Sequence, residues 1–229
     1  MLRGTPVSSI LLTNADLDHA LGLLSLREGG RLRIIAPKMV RDALAAGLNL
    51  TSMLDAFCDA DWIEPPEADF APLHGSGAAP GSLDYRAVAL PGGPPLFARG
   101  RISDGVHSVA YQIRDRKTGG TLLVAPDVAG WNEPLAEAIV HSDAVLFDGT
   151  FWSDDELQSV KPTAPKASQM GHVTIRDQSL ARLGRIAARR KIYIHINNTN
   201  PVLSPNSPER AAVAAAGVAV GYDGLEFEL

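Results

Sequence analysis

The sequence predicts a mixed α/β layered fold, and three observations carry that prediction. Short apolar runs recur at Val7–Leu12, Leu32–Ala36 and 144–147, segments with helical spacing separate them, and polar residues gather where the runs stop. Continuous apolar runs read as strands covered on both faces. Strands alternating with amphipathic helices need layers in which each element buries its apolar side against another.

Taken in order, Val7–Leu12 is the first strand and ends at Thr13-Asn14. From Asp18 to Arg27, Leu21, Leu24 and Leu26 mark one helical face, stopped by Gly29-Gly30. Leu32–Ala36 is a second strand, and Lys38–Ala46 a helix ended by Gly47. Residues 64–104 are rich in Pro, Gly and Ala around the strand-like YRAVAL of 85–90, which leaves either a loop system or a hairpin excursion. SVAYQI and TLLVA read as paired strands joined through the turn-like KTGG of 117–120. Glu133–Val140 is a helix, AVLF at 144–147 a buried strand, and LARLGRIAARR a helix despite Gly184. KIYIHI at 191–196 is a strand running into the polar NNTNP. Ser207 caps a last helix with Pro208 at its first position, and GVAVGYDGLEFEL closes the chain as a small hairpin.

Composition bounds the function classes. The chain has 229 residues, 45% hydrophobic and 21% charged, which is enough for a sizeable core. A net charge of −5 without a basic cluster argues against nucleic-acid or anionic-membrane binding. No apolar run is long enough to span a bilayer, and the N-terminus lacks the pattern of a secretory leader. A cytoplasmic location is expected. A single Cys58 excludes an internal disulfide and a Cys-based zinc cluster, and reads as a small buried hydrophobe.

Polar residues at the ends of buried strands are where α/β folds build their sites. Four such places recur: TNADLDH at 13–19, APD at 125–127, FDGTFW at 147–152 and HINNTNP at 195–201. In the first, Asp18 and His19 can point a carboxylate and an imidazole at one ion, with Asp16 beside them. Helix capping is the alternative, and it explains one Asp better than two Asp and a His. His172, after Met170-Gly171, is either a proton donor and acceptor or a satisfied loop histidine. Asp127 is either a bridging carboxylate or a helix cap, and Asp148 either orients a ligand or satisfies the turn it opens. Asn197, Asn198 and Asn200 are read as bracing the loop that carries His195. Asp154, Asp155 and Glu156 form the acidic first turn of a helix, while His74, His107 and His141 lack any motif context.

The string Asn14-Ala15-Asp16-Leu17-Asp18-His19 resembles the HxHxDH signature of the metallo-β-lactamase superfamily, with Asn14 and Asp16 in place of two His. The wider LLTNADLDHALGLLSLREG, FDGTFWSDDEL, Met170-Gly171-His172, KIYIHINNTNP and SPERAAV are similar, in order, to the pyrroloquinoline quinone (PQQ) biosynthesis protein B family. That resemblance covers nearly the whole chain and is weakest through about 55–120. It implies a metallo-β-lactamase-like αββα sandwich in one domain over 1–229. It also implies a role in making PQQ, by iron-dependent oxygenation of the tyrosine moiety of a Glu–Tyr cross-linked precursor with O₂. An older reading makes the family a non-catalytic carrier of PQQ or its precursor towards the periplasm.

By motif match, Asp16, Asp18, His19 and His195 carry over as the metal site, with His172 and Asp148 as catalytic candidates. Asn14 is a poor ligand, so a two-metal hydrolase site is impaired. The remaining pair of imidazoles with carboxylate suits Fe(II), while zinc stays compatible. Family members begin further upstream with additional strands and a Cys cluster, so the chain is expected to be N-terminally truncated, with an exposed edge that leaves a homodimer open. It also lacks the family's Gly-rich stretch after His172.

Overall fold

The computed structural model describes residues 5–28, 30–74 and 80–229. Residues 1–4, on which the expected shortened start falls, and Gly29 of the expected Gly-Gly stop lie outside them. The chain gathers into two compact units: one takes the residues up to Tyr111 with Asp115–Lys117, the other Gln112–Arg114 with Thr118–Leu229.

In the first unit, β1 (Ser9–Leu11), β2 (Leu32–Ile35) and β3 (Ala60–Ile63) pair in parallel in that order. α1 (Leu17–Ala20), α2 (Lys38–Leu48) and α3 (Leu50–Asp55) come from the connections between them. Their core is aliphatic: Leu23, Ile34, Val40, Leu44 and Leu54 are all buried. β4 (Ala71–His74) and β5 (Pro80–Ala89) pair antiparallel, with a register shift between Pro72 and His74. The hairpin alternative for this stretch is therefore the one realised.

In the second unit, β7 (Thr121–Ala125), β8 (Ala144–Asp148), β9 (Arg190–Ile194) and the short β10 (Ala219–Val220) form a parallel ladder in that order. β6 (Val109–Asp115) precedes them and is divided between the units. Ala144, Val145, Phe147 and Asp148 are buried, as a strand covered on both faces requires. α4 (Glu133–Val140) buries Leu135, Ala138 and Ile139 at helical spacing. Asn132 caps it by accepting the Leu135 N–H at 3.0 Å, so the capping role weighed for Asp127 falls to Asn132. α5 (Glu156–Val160) and α6 (Leu180–Gly184) are short, and α7 (Pro208–Ala215) starts at Ser207, whose Oγ accepts the Arg210 N–H at 3.0 Å. No helix among the described residues is long and apolar enough to cross a membrane.

Several elements depart from the expectations. The strand read as Val7–Leu12 is shortened to Ser9–Leu11 and only half-buried, because among the described residues β2 is its sole ladder partner. After α1 the backbone tightens into a 3₁₀ helix over Leu21–Leu26, whose three-residue period aligns Ala20, Leu23 and Leu26 rather than the Leu21 face. Gly47 lies inside α2 instead of ending it. A Cβ there would sit 2.3 Å from the Phe97 ring, so close packing selects glycine, and Asn49 at φ 52° stops the helix. The helix read over LARLGRIAARR ends at Gly184 after a π-turn at Ile175–Ser179. The expected terminal hairpin does not form: Ala219–Val220 joins β9 in parallel, and residues 221–229 add no strand.

Candidate functional site

In the first unit the chain leaves β1 through a loop organised by Asn14, not by the carboxylates. Asn14 is buried, and its Oδ1 accepts the Asp16 N–H at 3.0 Å, a side-chain turn that mimics backbone. Asp16 sits at the N-cap of α1 without a side-chain capping bond, so capping does not consume it. Asp18 is two-thirds exposed, and its Oδ2 lies 3.8 Å from His19 Nε2. The other imidazole nitrogen, Nδ1, faces Thr13 Oγ1 at 3.4 Å. Adjacent residues thus bring a carboxylate oxygen and Nε2 of one imidazole together, close to the separation of two donors on a single ion whose bonds are ~2.0–2.2 Å.

In the second unit, Asp148 at the end of β8 is fully buried and organises everything near it. Its Oδ1 accepts the Thr150 N–H at 2.9 Å and the Thr150 hydroxyl at 2.6 Å. Its Oδ2 accepts the Val128 N–H at 2.9 Å and meets His172 Nδ1 at 2.9 Å. Asp127 Oδ1 is 3.4 Å from the same Nδ1. Two carboxylates on one edge of the ring require Nδ1 to be a donor, which puts the lone pair of the neutral ring on Nε2. Phe151 meets the His172 ring edge-on, with centroids 5.6 Å apart. His172 is thus a loop histidine held by its neighbours, with Nδ1 on the two carboxylates and the ring against Phe151.

His195 follows β9 at φ 53°, so the strand read as 191–196 stops at Ile194. This left-handed residue is uncommon for a non-glycine, and it turns the imidazole so that Nδ1 lies 2.8 Å from Thr150 Oγ1. The His172 and His195 rings are 5.6 Å apart by centroid. Asp148, His172 and His195 lie close enough to suggest a metal triad of their own. The hydrogen bonding argues otherwise, because both Asp148 oxygens already accept two donors each and have no lone pair directed at an ion. Asp148 is a support for the two histidines.

The NNTNP loop is braced as expected. Asn200 Nδ2 donates to the Gly149 and Thr150 carbonyls, and its Oδ1 accepts the Val202 N–H. Two supports were not read from the sequence. Thr150 links Asp148 to His195, and nothing local marks it. Glu156, in the acidic first turn of α5 as expected, is also buried: it accepts the Trp152 N–H and the Thr199 hydroxyl at 2.6 Å each, tying the FDGTFW and NNTNP loops together. Burial pushes its carboxyl above the ordinary range, with those two hydrogen bonds opposing the shift. Elsewhere, His74 and His141 are exposed, His107 is buried, and Cys58 is a free buried thiol raised by burial and then by Asp55 and Asp59.

Comparison with known proteins places these residues in a family. Residues 2–196 match the β-lactamase superfamily domain. The chain is 36% identical to coenzyme PQQ synthesis protein B of Klebsiella pneumoniae, across 100% of this chain and 74% of that protein. It is 35% identical to that of Pseudomonas fluorescens, across 100% and 75%. Among solved structures, Zn(2+)-bound PqqB from Methylobacterium extorquens is similar with a TM-score of 0.82 and 30% identity, over 97% of this chain and 73% of that one. The short form of human tRNase Z, at TM-score 0.57 and 14% identity over 95% and 77%, shares the fold alone. This chain belongs to the coenzyme PQQ synthesis protein B family, within the β-lactamase superfamily.

Proposed function

We propose that this chain acts in the biosynthesis of pyrroloquinoline quinone, hydroxylating the tyrosine moiety of the Glu–Tyr cross-linked precursor with one non-haem iron and O₂, one oxygen atom entering the ring and the other leaving as water at the expense of two electrons from an external reductant. The pathway assignment rests on relatives named for PQQ synthesis at 35–36% identity. The reaction rests on a single feature, the donor set. Asp18, His19 and His195 offer one carboxylate and two imidazoles, the composition that suits Fe(II) with open positions, and Asp16 lies two residues before Asp18 in the chain. Asn14 and Asp16 replace the two histidines that a dinuclear site needs, which disfavours both a second ion and a hydrolase.

The residues fit a bound metal. His19 and His195 each place Nδ1 against a threonine hydroxyl, at 3.4 and 2.8 Å, an arrangement compatible with metal binding through Nε2. The bound iron would supply the activation of O₂. The rest is the work of side chains: His172, oriented by Asp148 and Asp127, holds or delivers a proton at Nε2, and Phe151 packs edge-on against its ring.

Anaerobic purification, metal analysis and O₂ uptake with the precursor test the reading. One iron per chain and O₂ consumption coupled to a hydroxylated product are expected. Asp18→Ala should release the metal with far-UV circular dichroism near wild type. Stoichiometric binding of the precursor or of PQQ without O₂ consumption would replace the oxygenase by a carrier. Zinc bound tightly with no activity after iron loading would also count against it.

A further inference from the structure

We infer that Thr150 is a positioning residue that fixes the tautomer of His195 and so decides which of its nitrogens is offered to a cation. The inference deepens the metal reading above, on which it rests for the ligand role of His195. Its basis is the proton count at one hydroxyl. Thr150 Oγ1 lies 2.6 Å from Asp148 Oδ1, 2.9 Å from the His195 carbonyl oxygen and 2.8 Å from His195 Nδ1. The first two are acceptors only, and a hydroxyl has one proton to give.

If that proton went to Nδ1, Oγ1 would face a carboxylate oxygen and a carbonyl oxygen at contact distance with nothing between them. If it goes to Asp148, in the short bond typical of a hydroxyl on an anion, an Oγ1 lone pair accepts from a protonated Nδ1. Every group except the His195 carbonyl is then paired, and that carbonyl can share the same hydroxyl proton. The second arrangement places the proton on Nδ1 and the lone pair on Nε2. Asp148 acts on both histidines, directly on His172 and through Thr150 on His195.

The position of Thr150 is determined from several sides, so its hydroxyl has little freedom to choose otherwise. Its own N–H is held by Asp148 Oδ1, while its carbonyl accepts from the Asn197 N–H at 3.1 Å and the Asn200 amide at 3.2 Å. The preceding Gly149 donates to the Ile194 carbonyl at 2.8 Å, and a Cβ there would meet Tyr193 Cβ at 2.8 Å. Only glycine lets the turn lie this close to β9, which is what brings residue 150 to residue 195. Groups that orient a metal-binding histidine through its other nitrogen commonly change metal affinity ~10–100-fold when removed.

The test uses the full chain in three forms: wild type, Thr150→Val, which keeps the shape and removes the hydroxyl, and Thr150→Ser, which restores it. Long-range ¹H–¹⁵N correlation on the metal-free protein, above the ordinary histidine titration, reads the His195 tautomer. Competition titration with Zn²⁺ reads affinity. Wild type and Thr150→Ser should carry the proton on Nδ1. Thr150→Val should show mixed tautomers and bind Zn²⁺ ~10–100-fold more weakly. A wild-type proton on Nε2, or a Thr150→Val protein with unchanged tautomer and affinity, overturns the inference. Should Thr150→Val fail to fold, the wild-type tautomer still decides. A wild-type protein with the Nδ1–H tautomer that binds neither zinc nor iron would instead defeat the metal reading and leave the Thr150 assignment standing.

Discussion

Replacing Asp148 by Asn should be costly out of proportion to the change in shape. The carboxylate is fully buried and accepts four hydrogen bonds, from the Val128 and Thr150 N–H groups, the Thr150 hydroxyl and His172 Nδ1. An amide keeps one acceptor oxygen and turns an N–H₂ towards two donors. If the N–H₂ faces His172, that ring can shift its proton to Nε2 and accept, but the Val128 N–H is stranded. If it faces Thr150, the hydroxyl can turn to the His195 carbonyl, but the Thr150 N–H is stranded. Either way one buried backbone donor is lost at about 1–3 kcal/mol, and the surviving bonds fall from charge-assisted to neutral strength, about 1 kcal/mol each. Relief from burying a charge offsets part of this. The net expectation is a loss of about 2–4 kcal/mol, or roughly 4–16 °C in Tm for a chain of this size. Urea unfolding and thermal melts of the metal-free protein measure it directly. A loss below about 1 kcal/mol, or a gain, would show that Asp148 is not the organiser described here.

Two further outcomes follow from the same geometry. His172→Gln should retain its metal but lose O₂ uptake by ~10²–10⁴-fold, the range for removing a positioned proton donor; metal lost in parallel would make His172 a ligand. Glu156 has a folded-state pKa raised above its ordinary 4.5, so its contribution is fully present below that value and is lost as pH rises through the raised one. Glu156→Gln removes that titration, and its stability relative to wild type should therefore improve as pH rises across the window. Urea midpoints of both proteins from acid to neutral pH read the difference, and a trend of opposite sign would refute the burial argument.

The sequence by itself determined what is local or strongly patterned. The buried β8 follows from an uninterrupted apolar run, the Ser207 cap from Ser-Pro-Glu at a helix start, and the bracing by Asn200 from an amide in a loop leaving a strand. The proposed metal residues stand out locally too, since Asp16, Asp18 and His19 fall close together after the first strand and His195 at a strand end. For Asp148 the sequence left a choice between orienting a ligand and satisfying the turn it opens, and the structure shows it accepting the turn's backbone donors together with His172 Nδ1.

Only the tertiary structure decided which distant groups meet. His172 reaches Asp148 across 24 positions, Thr150 reaches His195 across 45, and Glu156 reaches Thr199 across 43. Parallel pairing of β8 and β9 aligns their carboxyl ends and makes the last two contacts, the Phe151–Thr174 bridge brings His172 close, and a parallel crossover leaves no trace in local periodicity. The same holds for Gly47, whose Phe97 neighbour lies far along the chain, and for the terminal strand, which pairs with β9 because an open parallel edge was there to receive it. Propensity and spacing describe what a segment can become on its own. The proton on His195, the orientation of His172 and the burial of Glu156 depend on donors and acceptors supplied by other segments, and exist only once those segments are packed together.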